Sequence, residues 1–231
     1  MVHYGRFEVL TFDCYGTLID WETGIAMAVR AQLGDAIAQR SDDELLAAFA
    51  AVEHDAEVPY KPYREVLALC LRRIGERFGV PVREAQATAF GESVGLWPAF
   101  TDSPAALRRL QSRFTLAVIT NCDDDLFARS EARLGIKFNH VITAQQVGSY
   151  KPALRNFHVA HERIGVPRER ILHVAQSLYH DHVPAKQLGM TTVWINRRAG
   201  RGGSGGATPA AEAAPDAVFA DMSSFATAAA G

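Results

Sequence analysis

Residues 7–12 read Phe-Glu-Val-Leu-Thr-Phe and stop at Asp13-Cys14-Tyr15-Gly16-Thr17. A short β-branched and aromatic run that ends in a glycine-containing turn predicts a buried strand with a carboxylate at its C-terminal end. The pattern recurs at 115–120 (TLAVIT), 140–143 (HVIT), 171–174 (ILHV) and 191–196 (TTVWIN), with helix-like segments between the later runs. Strand and helix alternating at this spacing predict an α/β fold, a parallel sheet with helices on both faces. Residues 216–220 (DAVFA) add an edge strand before a short closing helix.

The stretch 21–100 breaks the alternation. Its apolar residues fall at helical spacing (Leu45, Leu46, Phe49, Val52; then Val66, Leu67, Leu69, Cys70, Ile74), and it holds no strand pattern. It reads as an all-helical insert placed directly after the first strand, where it should cover that strand's mouth. Trp97-Pro98 ends the insert, and Asp102-Ser103-Pro104 starts the next helix. The expected domains are a core of 1–20 with 101–231 and a helical cap of 21–100. Residues 199–215 (AGRGGSGGATPAAEAAP) read as a mobile surface loop.

Composition limits the partners. With 24 Lys and Arg against 26 Asp and Glu, the net charge of −2 supplies no broad basic surface for nucleic acid or an anionic membrane. No run approaches the 18 apolar residues of a membrane span, and residues 1–12 lack the apolar centre of a signal peptide. Cys14, Cys70 and Cys122 are too far apart for a Cys-x-x-Cys motif, and their odd number argues against a secreted disulfide framework. These features predict a cytoplasmic protein acting on a small molecule.

In a doubly wound sheet, ligands bind beyond the C-terminal ends of the strands. Three polar clusters fall there: Asp13, Thr120-Asn121, and residues 176–181; Lys151 follows the 140–143 strand by a loop. Asp13 alone could equally be a turn cap, and Thr120-Asn121 a helix cap. Their convergence with Lys151 and Asp181 points to a site.

Phe-Asp-Cys-Tyr-Gly-Thr-Leu at 12–18, Thr120-Asn121, Lys151-Pro152 and Asp181 resemble, in order, the four motifs of the haloacid dehalogenase superfamily. That resemblance implies a Rossmann-like core with a helical cap after the first strand. It implies Asp13 as covalent nucleophile, Lys151 as the cation holding it ionised, and Asp181 as the partner of Lys151 or of the hydrolytic water. Thr120, Asn121 and the backbone N–H groups of Cys14 and Tyr15 would cradle an anionic substrate group. Thr17, Trp21, Gln176, Ser177 and His180 would complete the substrate side.

Tyr15 stands where phosphatases of the superfamily carry a second Asp that protonates the leaving alcohol, and Asp-x-Tyr-Gly-Thr is similar to type II 2-haloacid dehalogenases. A halide leaves without a proton, so that acid is dispensable. The resemblance thus implies a small carboxylate substrate and no cofactor; Mg²⁺, if used, would lie between Asp13 and Asp181. Homodimerisation through the cap is expected from the family alone. Two departures stand out. The Ser-x-Asn-x-x-Asp of the dehalogenases is here Gln176-Ser177-Leu178-Tyr179-His180-Asp181, and no Arg or Lys lies between Ser41 and Pro59 to play the cap arginine. Other readings therefore stay open: phosphate-ester hydrolysis with Mg²⁺, another substitution alpha to a carboxylate, or ligand binding without turnover.

Among the remaining candidates, His173 within a strand reads as a core residue, and His180 beside Asp181 as a proton carrier. Trp21 is expected to line the pocket, whereas Tyr60, Tyr63 and Phe100 are expected to pack in the core. Arg197 and Arg198 are expected to be surface charges.

Overall fold

The computed structural model describes residues 2–199 and 208–231. Its sheet has the order β3-β2-β1-β4-β5-β6, with every neighbouring pair parallel. The strands are β1 (Val9–Phe12), β2 (Thr115–Thr120), β3 (His140–Thr143), β4 (Ile171–Ala175), β5 (Thr191–Ile195) and β6 (Ala217–Phe219). β1 is shorter than its apolar run suggests, because Phe7 closes the 3₁₀ turn Tyr4–Arg6 by donating its N–H to Tyr4.

Chain order runs from β1 through β2 to β3 on one side and resumes at β4 on the other, so the topology reverses at β1. That reversal opens a crevice at the C-terminal end of β1, where Asp13 begins. Both faces of the sheet are buried, as a parallel sheet requires. Leu10, Phe12, Leu116, Val118, Leu172 and Val174 join one core; Val9, Ala117, Ile119 and Ile171 join the other with Phe157 and Ile164.

Helices α1 (Trp21–Leu33), α2 (Asp42–Ala56), α3 (Tyr63–Phe78) and α4 (Glu84–Gly91) follow β1 and form the cap. Asp20 caps α1 by accepting from Thr23 N, and Ser41 with Glu44 forms a reciprocal capping box on α2. Ile25, Phe49 and Leu67 of the cap belong to the same apolar cluster as the first sheet face. The sheet is covered further by α5 (Ser103–Gln111), α6 (Asp124–Leu134), α7 (Ala144–Val147), α8 (Leu154–Ile164), α9 (Val183–Gln187) and α10 (Met222–Ala230). Among the described residues no helix is long and apolar enough to cross a membrane. Of the expected loop 199–215, residues 200–207 lie outside the described residues, and 208–215 carry no helix or strand.

The cap is fastened to the core at a named point. Asp123, 1% exposed at the start of α6, accepts from Tyr63 N at 2.8 Å, Arg64 N at 3.1 Å and Arg64 Nε at 3.1 Å. A buried carboxylate thus terminates α3 from the other domain, where exposed N–H groups and the helix dipole favour negative charge. Arg64 also pairs with Glu92 and Asp125, and Tyr150 Oη donates to Lys61 O at 2.8 Å.

Candidate active site

Asp13 leaves β1 with its N–H still bonded to Val174 O, so the sheet fixes the backbone of the carboxylate. Thr17 Oγ1 donates to Asp13 Oδ2 at 2.6 Å and accepts from Gln176 N at 2.9 Å. One hydroxyl therefore ties the loop after β1 to the loop after β4. This corrects the expected substrate contact of Thr17: its hydroxyl is fully engaged in positioning Asp13. Between them Gly16 has φ +95°, and a Cβ there would meet Gln176 Oε1 and Trp21 Nε1 at 3.2 Å. The positive φ favours glycine, and a Cβ would also crowd two side-chain ends.

Lys151 is 2% exposed, and its Nζ donates to Asp13 Oδ1 at 2.9 Å, Asp181 Oδ1 at 2.6 Å and Ile119 O at 2.8 Å. An ammonium has three hydrogens, and all three are engaged. Asn121 holds the lysine backbone, accepting from Lys151 N at 2.7 Å and donating to Lys151 O at 3.0 Å. Asn121 also borders the cavity, as expected of a substrate-contacting residue, while its amide positions Lys151. Asp181 Oδ1 also lies 3.1 Å from His173 Nε2, whose Nδ1 is 2.9 Å from Thr11 Oγ1. His173 is buried in β4 and also orients Asp181, a role its place in an apolar strand conceals.

The two carboxylates share one cation unequally. Burial pushes the Asp13 carboxyl up, and the Asp181 charge adds to this, while Lys151 and Thr17 pull the other way. For Asp181 burial also acts upward, but Lys151 and His173 outweigh it and hold the carboxyl well below the usual range. The expectation that Lys151 simply lowers Asp13 is therefore corrected: the shorter bond and the histidine give Asp181 the larger share of the ammonium. Burial works against the Lys151 charge, yet the two carboxylates prevail and hold it protonated above the usual lysine value.

These groups open into a cavity of about 50 Å³, room for roughly three or four waters. Its lining joins Asp13, Tyr15, Asn121, Lys151, Ser177, His180 and Asp181 of the core to Trp21, Glu53, Glu57 and Tyr63 of the cap, with Thr208 at one side. Tyr15 is turned away at its polar end, its hydroxyl 3.0 Å from Ser130 Oγ and 3.3 Å from Cys122 Sγ. Trp21 packs edge-on to Phe49 at 6.2 Å. Ser177 accepts from His180 N and lies 3.2 Å from His180 Nδ1, within the single π-helical turn Leu178–His182. Burial pushes the His180 imidazole down to about 4, with Asp181 acting upward and Lys151 downward.

Other expectations are redirected. Gln176 faces a neighbouring cavity of about 150 Å³, lined with Gly16, Asp20, Trp21, Phe100, Arg197 and Arg198 among others, so its side chain does not border the Asp13 cavity. The Cys14 side chain is fully buried in the core. Thr120 is buried at the end of β2, and its Oγ1 has no hydrogen-bond partner. Arg197 is no surface charge: it donates to Thr17 O and to both oxygens of Asp102, and covers the Phe100 ring at 4.0 Å. Arg198 holds both oxygens of Glu22 at 2.8 Å. Tyr60 is 38% exposed and not core, while Tyr63 is buried but reaches the cavity.

Glu53 and Glu57 are the site residues that sequence reasoning missed. They sit four positions apart at the end of α2, a spacing that places both on one helix face. Tyr63 Oη donates to Glu53 Oε1 at 2.9 Å. Burial raises Glu53 to about 7, with Tyr63 acting downward. Burial and the Glu53 charge raise Glu57 to about 9, with Lys61 acting downward.

A raised carboxyl makes stability pH-dependent. Folded Glu53 keeps a proton that the unfolded chain releases near ~4.3, so the unfolded state binds fewer protons and stability falls as pH rises. The fall ends once pH has passed the folded value of about 7. Urea unfolding between about pH 5 and about pH 8 should show a shallower decline in Glu53→Gln than in the parent. Equal declines would mean that Glu53 is solvated as an ordinary carboxylate.

With this geometry in hand, the chain matches the family model for haloacid dehalogenase-like hydrolases over residues 7–189, and it belongs to that family. It is 26% identical over 219 residues to the (S)-2-haloacid dehalogenase H-109 of Pseudomonas putida, covering 89% of this chain and 92% of that one. It is 29% identical over 209 residues to the 5-amino-6-(5-phospho-D-ribitylamino)uracil phosphatase YigB of Escherichia coli strain K12, covering 83% and 84%. The L-2-haloacid dehalogenase structure from Xanthobacter autotrophicus aligns with a TM-score of 0.81 over 97% of this chain and 99% of that one. At 19% identity this is a likeness of fold, the Rossmann-like core with its cap. The relatives thus include both a dehalogenase and a phosphatase.

Proposed function

We propose that this hydrolase displaces a halide from a short 2-halo carboxylate through an ester on Asp13, without a metal. The observation that carries the reading is the Asp13–Lys151–Asp181 bridge, in which an ammonium with all its hydrogens engaged lies between the two carboxylates. Mg²⁺ needs several oxygen ligands in near-octahedral array. The third acidic position that a phosphatase would offer is Gln176, which faces the neighbouring cavity. Among the described residues no cluster of three His, Cys, Asp or Glu side chains that could hold a metal ion forms, which supports the metal-free reading.

In the first step an Asp13 oxygen attacks C2; the C–halogen bond breaks, and its electron pair leaves with the halide. Tyr15, with its hydroxyl turned toward Ser130, offers no acid, and a halide requires none. Asn121, which borders the cavity, keeps one amide hydrogen free of Lys151 O and can donate it to the substrate carboxylate. In the second step water attacks Cγ of Asp13, and the Cγ–O bond to the substrate breaks. The products are a 2-hydroxy acid, a restored Asp13 carboxylate and one proton.

Asp181 Oδ2, buried and unpartnered at the cavity, orients that water. His180 is neutral near pH 7 and accepts its proton in the tautomer that donates Nδ1–H to Ser177 Oγ, which leaves Nε2 a lone pair. The test is halide release from the two enantiomers of 2-chloropropionate by EDTA-treated protein. Release from one enantiomer, undiminished by EDTA, is the expected result. EDTA-sensitive phosphate release from phosphate esters, without halide release, would overturn the proposal.

A further inference from the structure

In the Asp13–Lys151–Asp181 bridge one carboxylate oxygen is buried without a donor, Asp181 Oδ2. The other oxygen of the same group has two, Lys151 Nζ at 2.6 Å and His173 Nε2 at 3.1 Å. Lys151 and His173 outweigh burial and keep Asp181 ionised. An ionised carboxylate can only accept, so the hydrogen of the second contact is carried by Nε2. The ring is fixed on its far side as well. The parallel register sets Thr11 of β1 beside His173 of β4, and Thr11 Oγ1 lies 2.9 Å from Nδ1. Phe157 meets the imidazole edge-on, with ring centroids 5.3 Å apart. Both His173 and Thr11 are buried, and neither lines the cavity.

One donor fixes the place of a carboxylate oxygen but leaves the group free to twist about its Cβ–Cγ bond. Two donors that reach the same oxygen from separate elements fix the plane too. Here one comes from the loop after α7 and the other from β4. The lone pairs of Oδ2 are thereby kept open and held in one direction. The contacts of Asp13 itself, with Lys151, Thr17 and Val174 O, do not include the imidazole. The ring therefore bears on the Asp181 side of the bridge and not on the attacking carboxylate.

We propose that His173 is a positioning residue for the second step of the reaction: anchored by Thr11, it holds Asp181 so that Oδ2 aims the water at Cγ of Asp13. The inference rests on the preceding reading of an Asp13 ester. His173 forms no bond and moves no proton. The water oxygen bonds to Cγ and the Cγ–O bond to the substrate breaks; one water hydrogen ends on the product hydroxyl, and the other is released through His180. A displacement of about 1 Å in such an arrangement lowers a rate by roughly 10²-fold. Ester formation, which needs only Asp13 and its own contacts, is spared.

The test times the two steps separately with 2-chloropropionate in excess: halide released in the first turnover reports ester formation, and intact-protein mass spectrometry reports the ester. His173→Phe is expected to release its first equivalent of halide at the parent's rate and then to hydrolyse the ester ~10- to 100-fold more slowly, so that the ester accumulates toward one per protein. His173→Gln, whose amide nitrogen falls where Nε2 lies, should restore hydrolysis. Thr11→Val keeps the packing and removes the hydroxyl; it should accumulate ester to a lesser extent, and it carries the test if His173→Phe does not fold. A merely structural role would slow both steps alike or neither. Proportional slowing of both steps, unchanged rates in both, or hydrolysis no faster with Gln than with Phe overturns the role of His173, while halide release by the parent leaves the reaction standing. No halide release by the parent overturns the reaction and the role together.

Discussion

Asp13→Asn is expected to lower halide release by at least ~10³-fold while leaving the fold intact, because an amide keeps the shape of the carboxylate but cannot form the ester. The contacts that hold the side chain survive in part: Lys151 can still donate to the amide oxygen, and Thr17 still accepts from Gln176 N. The same substitution should raise stability at neutral pH. The Asp13 carboxyl is held above its ordinary value by burial and by Asp181, so its ionised form favours the unfolded chain. Removing that charge relieves the repulsion and leaves Lys151 to Asp181. A higher urea midpoint together with lost turnover is the signature of a site whose chemistry is maintained at a cost in stability. Lost turnover with a lower midpoint would mean that Asp13 acts chiefly as a structural anchor.

Lys151→Met has the largest expected effect on stability. It leaves Asp13 and Asp181 facing each other in a buried site with no counter-charge, and breaking a buried pair by removing one partner costs about 3–5 kcal/mol. Turnover should disappear as well, since both carboxylates then move toward protonation. The double variant Asp13→Asn/Lys151→Met should recover part of the lost stability, because one of the two stranded charges is gone. Groups joined in one network are not additive, and the sign of the coupling is the informative quantity. Simple additivity, measured by urea unfolding of the four proteins, would show that Lys151 and Asp13 do not form one electrostatic unit.

The parallel sheet was legible because its strands are short apolar runs separated by helical spacing. Even so, β1 lost its first residues to the 3₁₀ turn at Tyr4–Arg6, which apolar patterning does not register. At the site, Asp13, Lys151 and Asp181 were legible from motif order, and the structure brings their side chains to 2.9 and 2.6 Å of one another. Glu53 and Glu57 were not legible. Along the sequence they are polar positions near the end of an amphipathic helix, and only the packing of cap on core brings them to the cavity that Asp13 lines. Arg197 and Arg198 were misread for a related reason. They follow β5 at the sheet edge where ligands bind, but their partners Thr17, Asp102 and Glu22 lie 95 or more positions away. Gln176 and Thr17 sit in motif positions that suggest ligand contact, but Thr17 is tied to Asp13 and Gln176 N, and Gln176 lines the neighbouring cavity, which the motif does not reveal.

The central claim is that Asp13 forms an ester whose own carbonyl is hydrolysed. A single turnover in H₂¹⁸O, with enzyme in excess over 2-chloropropionate, followed by mass spectrometry of the peptide carrying Asp13, tests it most directly. The account predicts one ¹⁸O in the Asp13 carboxylate and an unlabelled 2-hydroxy acid, since the product takes its oxygen from the enzyme. Label in the product with an unlabelled Asp13 would show direct attack of water on C2, and would contradict the account.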